Sequence, residues 1–406
     1  MATESIDFIQ SKCVLLRTFR YDPSFGPLVE NLWETFCGEV VDILTGDEEI
    51  VYLYGDLDKV FEETSFTRDP IIFVIRDLMT SPLDVYPLKV SEVLLGQVPR
   101  SVHGVGVMLP QVFRENLFER VEGDHVFQNL TESNKVTKAF RKGIYLTPVT
   151  KLDDDLHFHL LRCSSNFEGP TDTFRSADDY IVGTLNRMAP YFFDNPAPIN
   201  HVLAQIYSNF RVDGVGKGTG KKARIKEHSD KTKDMPSNGI MAFVTLYKDD
   251  EKLRALKTPK DDPYDLRHGK ESGLTRLRFR LKSCVEDPSL TKKFDVLLYP
   301  GSVLLISLAT NRYYTHEIVP SILDVEMLPT RMGYVARCSD QKALFRDGHT
   351  LIKNLKGEWV PLEEPTEEGI DKLKGDYYRE NRTIDVVDYG FVPFSLNDGD
   401  YMQPIV

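Results

Sequence analysis

Two histidines, one aspartate and two arginines stand in an order that can support redox chemistry. His228 and Asp230 lie two apart, His316 follows a strand–turn–strand pattern, and Arg331 and Arg337 come fifteen and twenty-one residues after His316. An imidazole pair with one carboxylate can take three positions on one face of an iron(II) ion, leaving the other three for a co-substrate and dioxygen (O2). The arginines supply a cationic fork for the carboxylate of an organic acid. An HxD pair alone is commonplace; the ordered set carries the weight.

The spacing predicts which side chains share a face. On an extended segment His228 and Asp230 project to the same side, and so do Arg331 and Arg337, six residues apart. The third ligand must come from another strand, and His316 stands just beyond the apolar run Val303–Leu308 and the segment Leu308–Tyr314. One guanidinium can bind a carboxylate bidentately, and the second can hold the acid's other end or a metal-bound carboxylate. Two arginines on an inner face are costly to bury without anionic partners. Gln205 and Tyr207 face the same side of the preceding strand and can offer hydrogen bonds to the same ligand. The rival pair His157 and His159 has no carboxylate or arginine series after it and reads as structural. His103, His125, His201, His268 and His349 have no supporting context.

The elements that must position these residues are mostly strands. His201–Tyr207 and Ile240–Tyr247 read as buried strands, and Leu277–Leu281 alternates as a half-exposed one. Phe294–Tyr299, the Pro300-Gly301 turn, Val303–Leu308 and Met332–Arg337 complete the series. Lys248–Gly273 reads as a polar surface insertion, and Asp178–Ala189 as a helix stopped by Pro190. The expected fold class is α+β with a mainly β catalytic core. Residues 1–104 form an N-terminal α+β region without a chemical motif, 105–345 the core, and 346–406 a C-terminal extension, an appendage that includes the acidic run Glu363–Glu368. Many short strands with turn chemistry indicate a sandwich or barrel.

Composition bounds the partners. The 406 residues are 41% hydrophobic and 28% charged, as in a globular protein. No apolar run approaches the roughly 20 residues that span a bilayer, so no membrane partner is expected. The start, MATESIDFIQSKC, has neither a basic n-region nor an apolar h-region. The five scattered cysteines lack metal-finger spacing, so reduced thiols in a cytoplasmic or nuclear protein are expected. The sequons at Asn129 and Asn381 are read as chance. A net charge of −12 argues against broad nucleic-acid binding, which phosphate neutralisation drives. A local exception is Lys217–Lys226, holding Lys221 and Lys222 just before the metal motif, which reads either as a solvated loop or as a phosphate clamp.

With these residues in place, the chain resembles the AlkB-type branch of iron/2-oxoglutarate dioxygenases over roughly residues 180–340. The blocks that carry the likeness are Ala204–Tyr207 with Ile225–Lys231, Leu298–Leu305 with Asn311–Ile318, and Arg331–Arg337. The resemblance implies a double-stranded β-helix (jelly roll), with Fe(II) at His228, Asp230 and His316, and 2-oxoglutarate as co-substrate at Arg331, Arg337 and Tyr207. The chain departs from the family pattern at Gly333 and Val335, at Gln205, and in an inserted stretch from Phe210 to Lys222.

The reaction implied is hydroxylation of a C–H bond; on an N-methyl group the resulting carbinol falls apart to formaldehyde. The leading substrate expectation is a modified or methylated nucleobase, flipped from the stack. Residues 105–150 are then a candidate lid, with Arg141 and the segment Phe127–Lys135 reaching the substrate, or else simply an outer strand and turn. The alternatives are a hydroxylase of a protein side chain or small metabolite, and a non-catalytic β-helix binding module. Oligomeric state has no signature in the chain.

Overall fold

The computed structural model describes residues 12–17, 23–79, 90–132, 135–163, 167–211, 220–248 and 251–406. Of the segments singled out above, the first eleven residues, residues 133–134 of the candidate lid, 212–219 of the inserted stretch and its basic loop, and 249–250 of the polar insertion lie outside these.

The expected core is present as two antiparallel sheets. The larger has eight strands, in the spatial order Arg100–Val102, Gly106–Leu109, Ser302–Ser307, Ile240–Tyr247, Arg331–Arg337, His201–Tyr207, Lys135–Leu146 and Gln128–Glu132. The smaller has four: Ile225–His228, Tyr314–Val319, Arg276–Leu281 and Lys293–Leu297. Met108, Met241, Phe243, Leu304 and Ile306 of the larger sheet pack against Leu277, Phe279, Phe294, Val296 and Tyr314 of the smaller in one apolar cluster.

The larger sheet is covered on its other face too. Ala204, Ile206, Val244, Leu305, Met332 and Tyr334 pack there with Ile181 and Leu185 of the helix Ser176–Met188. Burial on both faces explains why Ile240–Tyr247 is apolar almost throughout: all eight residues are buried. The smaller sheet is wet outside, so Arg276–Leu281 alternates. Leu277 and Phe279 face inward, while Arg278 and Arg280 pair outside with Asp295, Glu317 and Glu227. At the Pro300-Gly301 turn, Gly301 has φ +73°, and a Cβ there would overlap the Phe113 carbonyl oxygen.

The N-terminal region differs from the α+β expectation. Its five strands (Cys13–Leu16, Glu39–Val41, Ile50–Leu53, Ile71–Ile75 and Val90–Val93) pair in parallel throughout. The helices Gly26–Thr35 and Leu57–Glu63 lie in two of the crossovers, so this is an α/β unit. A parallel sheet needs both faces covered. Leu15, Tyr52 and Tyr54 point into the cluster shared with the eight-stranded sheet, and Val51, Leu53 and Val74 pack with Leu57 and Val60 of the second helix. Arg100–Val102, placed before residue 104 by sequence, belongs to the eight-stranded sheet.

The last sixty residues pack onto the core. Lys342–Arg346 pairs with Asp155–His159 in a separate five-stranded sheet. The acidic run leads into the helix Glu367–Arg382, where the Thr366 hydroxyl caps the Gly369 N–H at 3.1 Å. Glu367 and Glu368 stand in the helix's first turn and Arg379 and Arg382 in its last, as the helix dipole favours. Leu373, Tyr377 and Glu380 form its buried face.

One buried charge cluster ties elements together behind the larger sheet. The His125 imidazole lies 2.8 Å from Asp172 through Nδ1 and 2.8 Å from Asp178 through Nε2. Burial opposes its charge, but the two carboxylates outweigh burial and raise the pKa to about 9. The Tyr334 hydroxyl donates to the other oxygen of Asp178 at 2.9 Å.

Candidate metal centre

The two predicted histidines come from neighbouring antiparallel strands. His228, at the end of Ile225–His228, stands directly opposite His316 in Tyr314–Val319. Their ring centroids are 4.6 Å apart. Asp230 follows His228 past the strand end, with Oδ1 3.4 Å from His228 Nε2 and 3.8 Å from His316 Nε2. One donor atom from each of the three lies within 4.8 Å of the others. His228 Nδ1 is 2.8 Å from the Lys226 carbonyl, which orients the ring with Nε2 toward Asp230.

The protonation states suit a metal. Burial, and then the neighbouring His228, push the His316 imidazole down to about 3, so it is neutral at physiological pH with a lone pair to offer. Burial alone would raise Asp230, but Arg337, His228 and His316 outweigh it and hold the carboxyl well below the usual range. His316 Nδ1 and Asp230 Oδ2 are buried without a hydrogen-bond partner. Arg337 Nη2 is 2.7 Å from that same Oδ2, an ion-pair contact whose direction falls outside hydrogen-bond geometry. Two imidazoles and one carboxylate are a donor set that fits non-haem iron(II).

Arg331 and Arg337 open and close one strand with both side chains buried. Arg331 is opposite Tyr207 and Arg337 opposite His201 across the pairing with His201–Tyr207. The Arg331 guanidinium lies 4.1 Å from the Tyr207 ring centroid. Its Nε and Nη2 are buried with no partner, an arrangement that calls for an anion. Gly333 lies between the arginines, and a Cβ there would come within 2.9 Å of Arg331 Nη1. The Tyr207 hydroxyl donates to Gln205 Oε1 at 2.8 Å, so these two are linked to each other as well as facing the cavity. Arg337 also donates from Nη1 to the Cys163 sulfur at 3.2 Å.

A cavity of about 1040 Å³ joins the metal ligands, both arginines, Gln205 and Tyr207. The candidate substrate residues Arg141, Lys221 and Lys222 line it too. Lys222 is already engaged, donating to the Ser321 carbonyl at 2.7 Å. The candidate lid is a hairpin, Gln128–Glu132 with Lys135–Leu146, whose long strand extends the eight-stranded sheet beside His201–Tyr207. Leu130 and Arg141 of that hairpin face the cavity. His157 and His159 lie in the separate five-stranded sheet and take no part.

Several residues at the site have roles that the sequence did not assign. Asn311 grips Asp230 at both ends, its Oδ1 accepting from the Asp230 N–H and its Nδ2 donating to the Asp230 carbonyl, each at 2.8 Å. Phe243 meets the His316 ring edge-on at 5.6 Å, and Cys163 lines the cavity.

No protein-family model matches the chain, and no curated protein matches it. Among solved structures it is similar to OsALKBH1, at 13% identity over 59% of this chain and 99% of that one, with a TM-score of 0.34. It is also similar to SnoN, a non-heme alpha ketoglutarate dependent epimerase from nogalamycin biosynthesis, at 9% identity over 59% and 80% of the two chains, with a TM-score of 0.31. Likenesses at this level assign neither family nor function. No helix among the described residues is long and apolar enough to cross a membrane.

Proposed function

We propose that the chain is an Fe(II)- and 2-oxoglutarate-dependent dioxygenase built on a double-stranded β-helix. The observation that carries this reading is the juxtaposition of three metal-competent donors within 4.8 Å and a buried guanidinium with two unpartnered nitrogens, both opening on one cavity. When bound, the metal and 2-oxoglutarate supply activation of dioxygen coupled to decarboxylation, delivering a hydroxyl group to a C–H bond. The chain does the rest. His228, Asp230 and His316 would hold the ion at the wall of the cavity. Arg331, braced on Tyr207, takes the far carboxylate of the co-substrate. Arg337 keeps Asp230 ionised and oriented. The buried Phe243 and Leu298 and the half-buried Val335 wall the reacting end and limit water there.

The substrate reading is a modified or methylated nucleobase. Its support is a cavity at the upper end of the usual ligand range of ~300–1,000 Å³, with aromatic walls at Tyr145 and Phe167 and a cationic rim at Arg141, Arg224 and Lys226. Anaerobic addition of iron(II) and 2-oxoglutarate to the protein is expected to give a weak visible charge-transfer band. Succinate release should then rise with a methylated oligonucleotide and not with its unmodified counterpart. Succinate released only with peptides or metabolites would move the substrate to a protein side chain or small molecule. No band and no succinate under any condition would leave a binding module.

A further inference from the structure

The loop that carries two of the metal ligands is held from outside the sandwich. The Asn381 side-chain oxygen accepts the Ser229 N–H at 2.7 Å, between His228 and Asp230. Its amide nitrogen donates to the Tyr377 carbonyl one turn back at 3.0 Å, which sets the orientation of the group. One residue earlier, the buried Glu380 carboxylate accepts the Thr232 N–H at 3.0 Å and also takes the Thr232 hydroxyl. From the opposite side Asn311 accepts the intervening Asp230 N–H at 2.8 Å. Three backbone donors of residues 229–232 are therefore satisfied by side chains, two of them from the helix Glu367–Arg382.

The helix is itself anchored where these residues sit. Lys282, from the end of the smaller sheet, donates to the carbonyls of Glu380 at 2.6 Å and Thr383 at 3.0 Å, closing the helix C-terminus. The Lys231 ammonium lies 4.5 Å from the Tyr377 ring centroid. The Tyr377 hydroxyl donates to the Arg162 carbonyl at 2.9 Å. A short loop leaving a strand end has no ladder to define it, so its shape follows from whatever satisfies its N–H groups.

We propose that the C-terminal helix Glu367–Arg382 is a positioning element of the metal centre, with Asn381 and Glu380 holding loop 228–232 in the shape that brings His228 and Asp230 together with His316. This inference rests on the metal reading above. Asn381 and Glu380 touch neither metal nor substrate and act through the loop backbone.

The test is a spectroscopic titration of the full chain with cobalt(II) against a competing chelator, paired with thermal unfolding of the metal-free protein. Asn381→Ala is expected to weaken cobalt affinity about 10- to 100-fold, the usual cost of losing support behind a ligand. Asn381→Asp, which keeps an acceptor for the Ser229 N–H, should recover most of it. Tyr377→Phe keeps the ring beside Lys231 and removes only the hydroxyl's bond to the Arg162 carbonyl, so it should lower the unfolding temperature and leave cobalt affinity in place. Unchanged affinity in Asn381→Ala, no recovery in Asn381→Asp, or an equal loss in Tyr377→Phe overturns the proposal. A wild-type chain that binds no cobalt overturns the metal reading itself, in the same titration.

Discussion

Arg337 Nη2 lies 2.7 Å from Asp230 Oδ2, so the strand that begins at Arg331 ends by neutralising the carboxylate of the proposed metal site. Both partners are buried. Removing one half of such a pair strands the other charge, at a cost of about 3–5 kcal/mol. Arg337→Met is therefore expected to destabilise the metal-free protein by about that much in urea. Manganese(II), which restores a positive charge beside Asp230, should return part of the loss. Equal losses with and without the ion would show that Asp230 is not a ligand.

Arg331→Ala removes a charge-assisted fork while leaving the three ligands intact. Hydrogen bonds to charged groups are worth about 1.5–3 kcal/mol, so the KM for 2-oxoglutarate should rise about 10- to 100-fold, with metal affinity unchanged. Steady-state kinetics across 2-oxoglutarate concentrations would show it. An unaltered KM would place the carboxylate elsewhere.

Gly333→Ala probes the same fork without touching a charge. The new Cβ would press within 2.9 Å of Arg331 Nη1 and 3.2 Å of Tyr207 Cε2. The guanidinium must move off the Tyr207 ring, and the expected result is a smaller rise in the same KM. A crystal structure of the variant with Arg331 undisplaced would refute the steric argument.

Stability should fall in mild alkali because of His125. Its folded pKa, about 9, lies above the unfolded value, so the stabilisation is complete below the unfolded pKa of about 6.5 and fades as pH rises through about 9. The shift corresponds to an upper bound of roughly 3 kcal/mol. Urea unfolding between pH 6.5 and 8 should show this decline in the wild type. In His125→Gln it should be absent, and an identical slope in both would assign the pH dependence to other groups.

If the cationic rim reads phosphates, charge reversal at Arg224 and Lys226 should weaken oligonucleotide binding. It should also reduce the salt dependence by about one unit of slope for each phosphate no longer neutralised. Binding unaffected at low salt would favour the protein or metabolite substrate.

The clustering of His228, Asp230 and His316 was legible in the chain because such residue types are few and strand periodicity says which side chains share a face. His228, Asp230 and His316 needed only an antiparallel neighbour, and Arg331 and Arg337 only an even spacing. Three features were not legible. Runs such as Ile50–Leu53 and Ile71–Ile75 are apolar on both faces, which announces burial but not strand direction, so the parallel pairing of the N-terminal unit could not be read. The acidic run Glu363–Glu368 marks its segment as an appendage, although it leads into a capped helix whose apolar stripe includes Ile370, Leu373 and Tyr377. Asn381 and His125 act through partners far away in sequence, 152 residues for Asn381 and Ser229, and 47 for His125 and Asp172. No local pattern encodes such pairings.

The strand Arg331–Arg337 separates two chemical environments. Its odd positions carry guanidiniums toward the cavity, and its even ones, Met332, Tyr334 and Ala336, sit among aliphatic side chains on the opposite face. Adding or deleting a single residue there would exchange the two sets, driving cations into the hydrocarbon interior and an aromatic ring into the cavity. The length of this stretch is constrained as tightly as the side chains it carries.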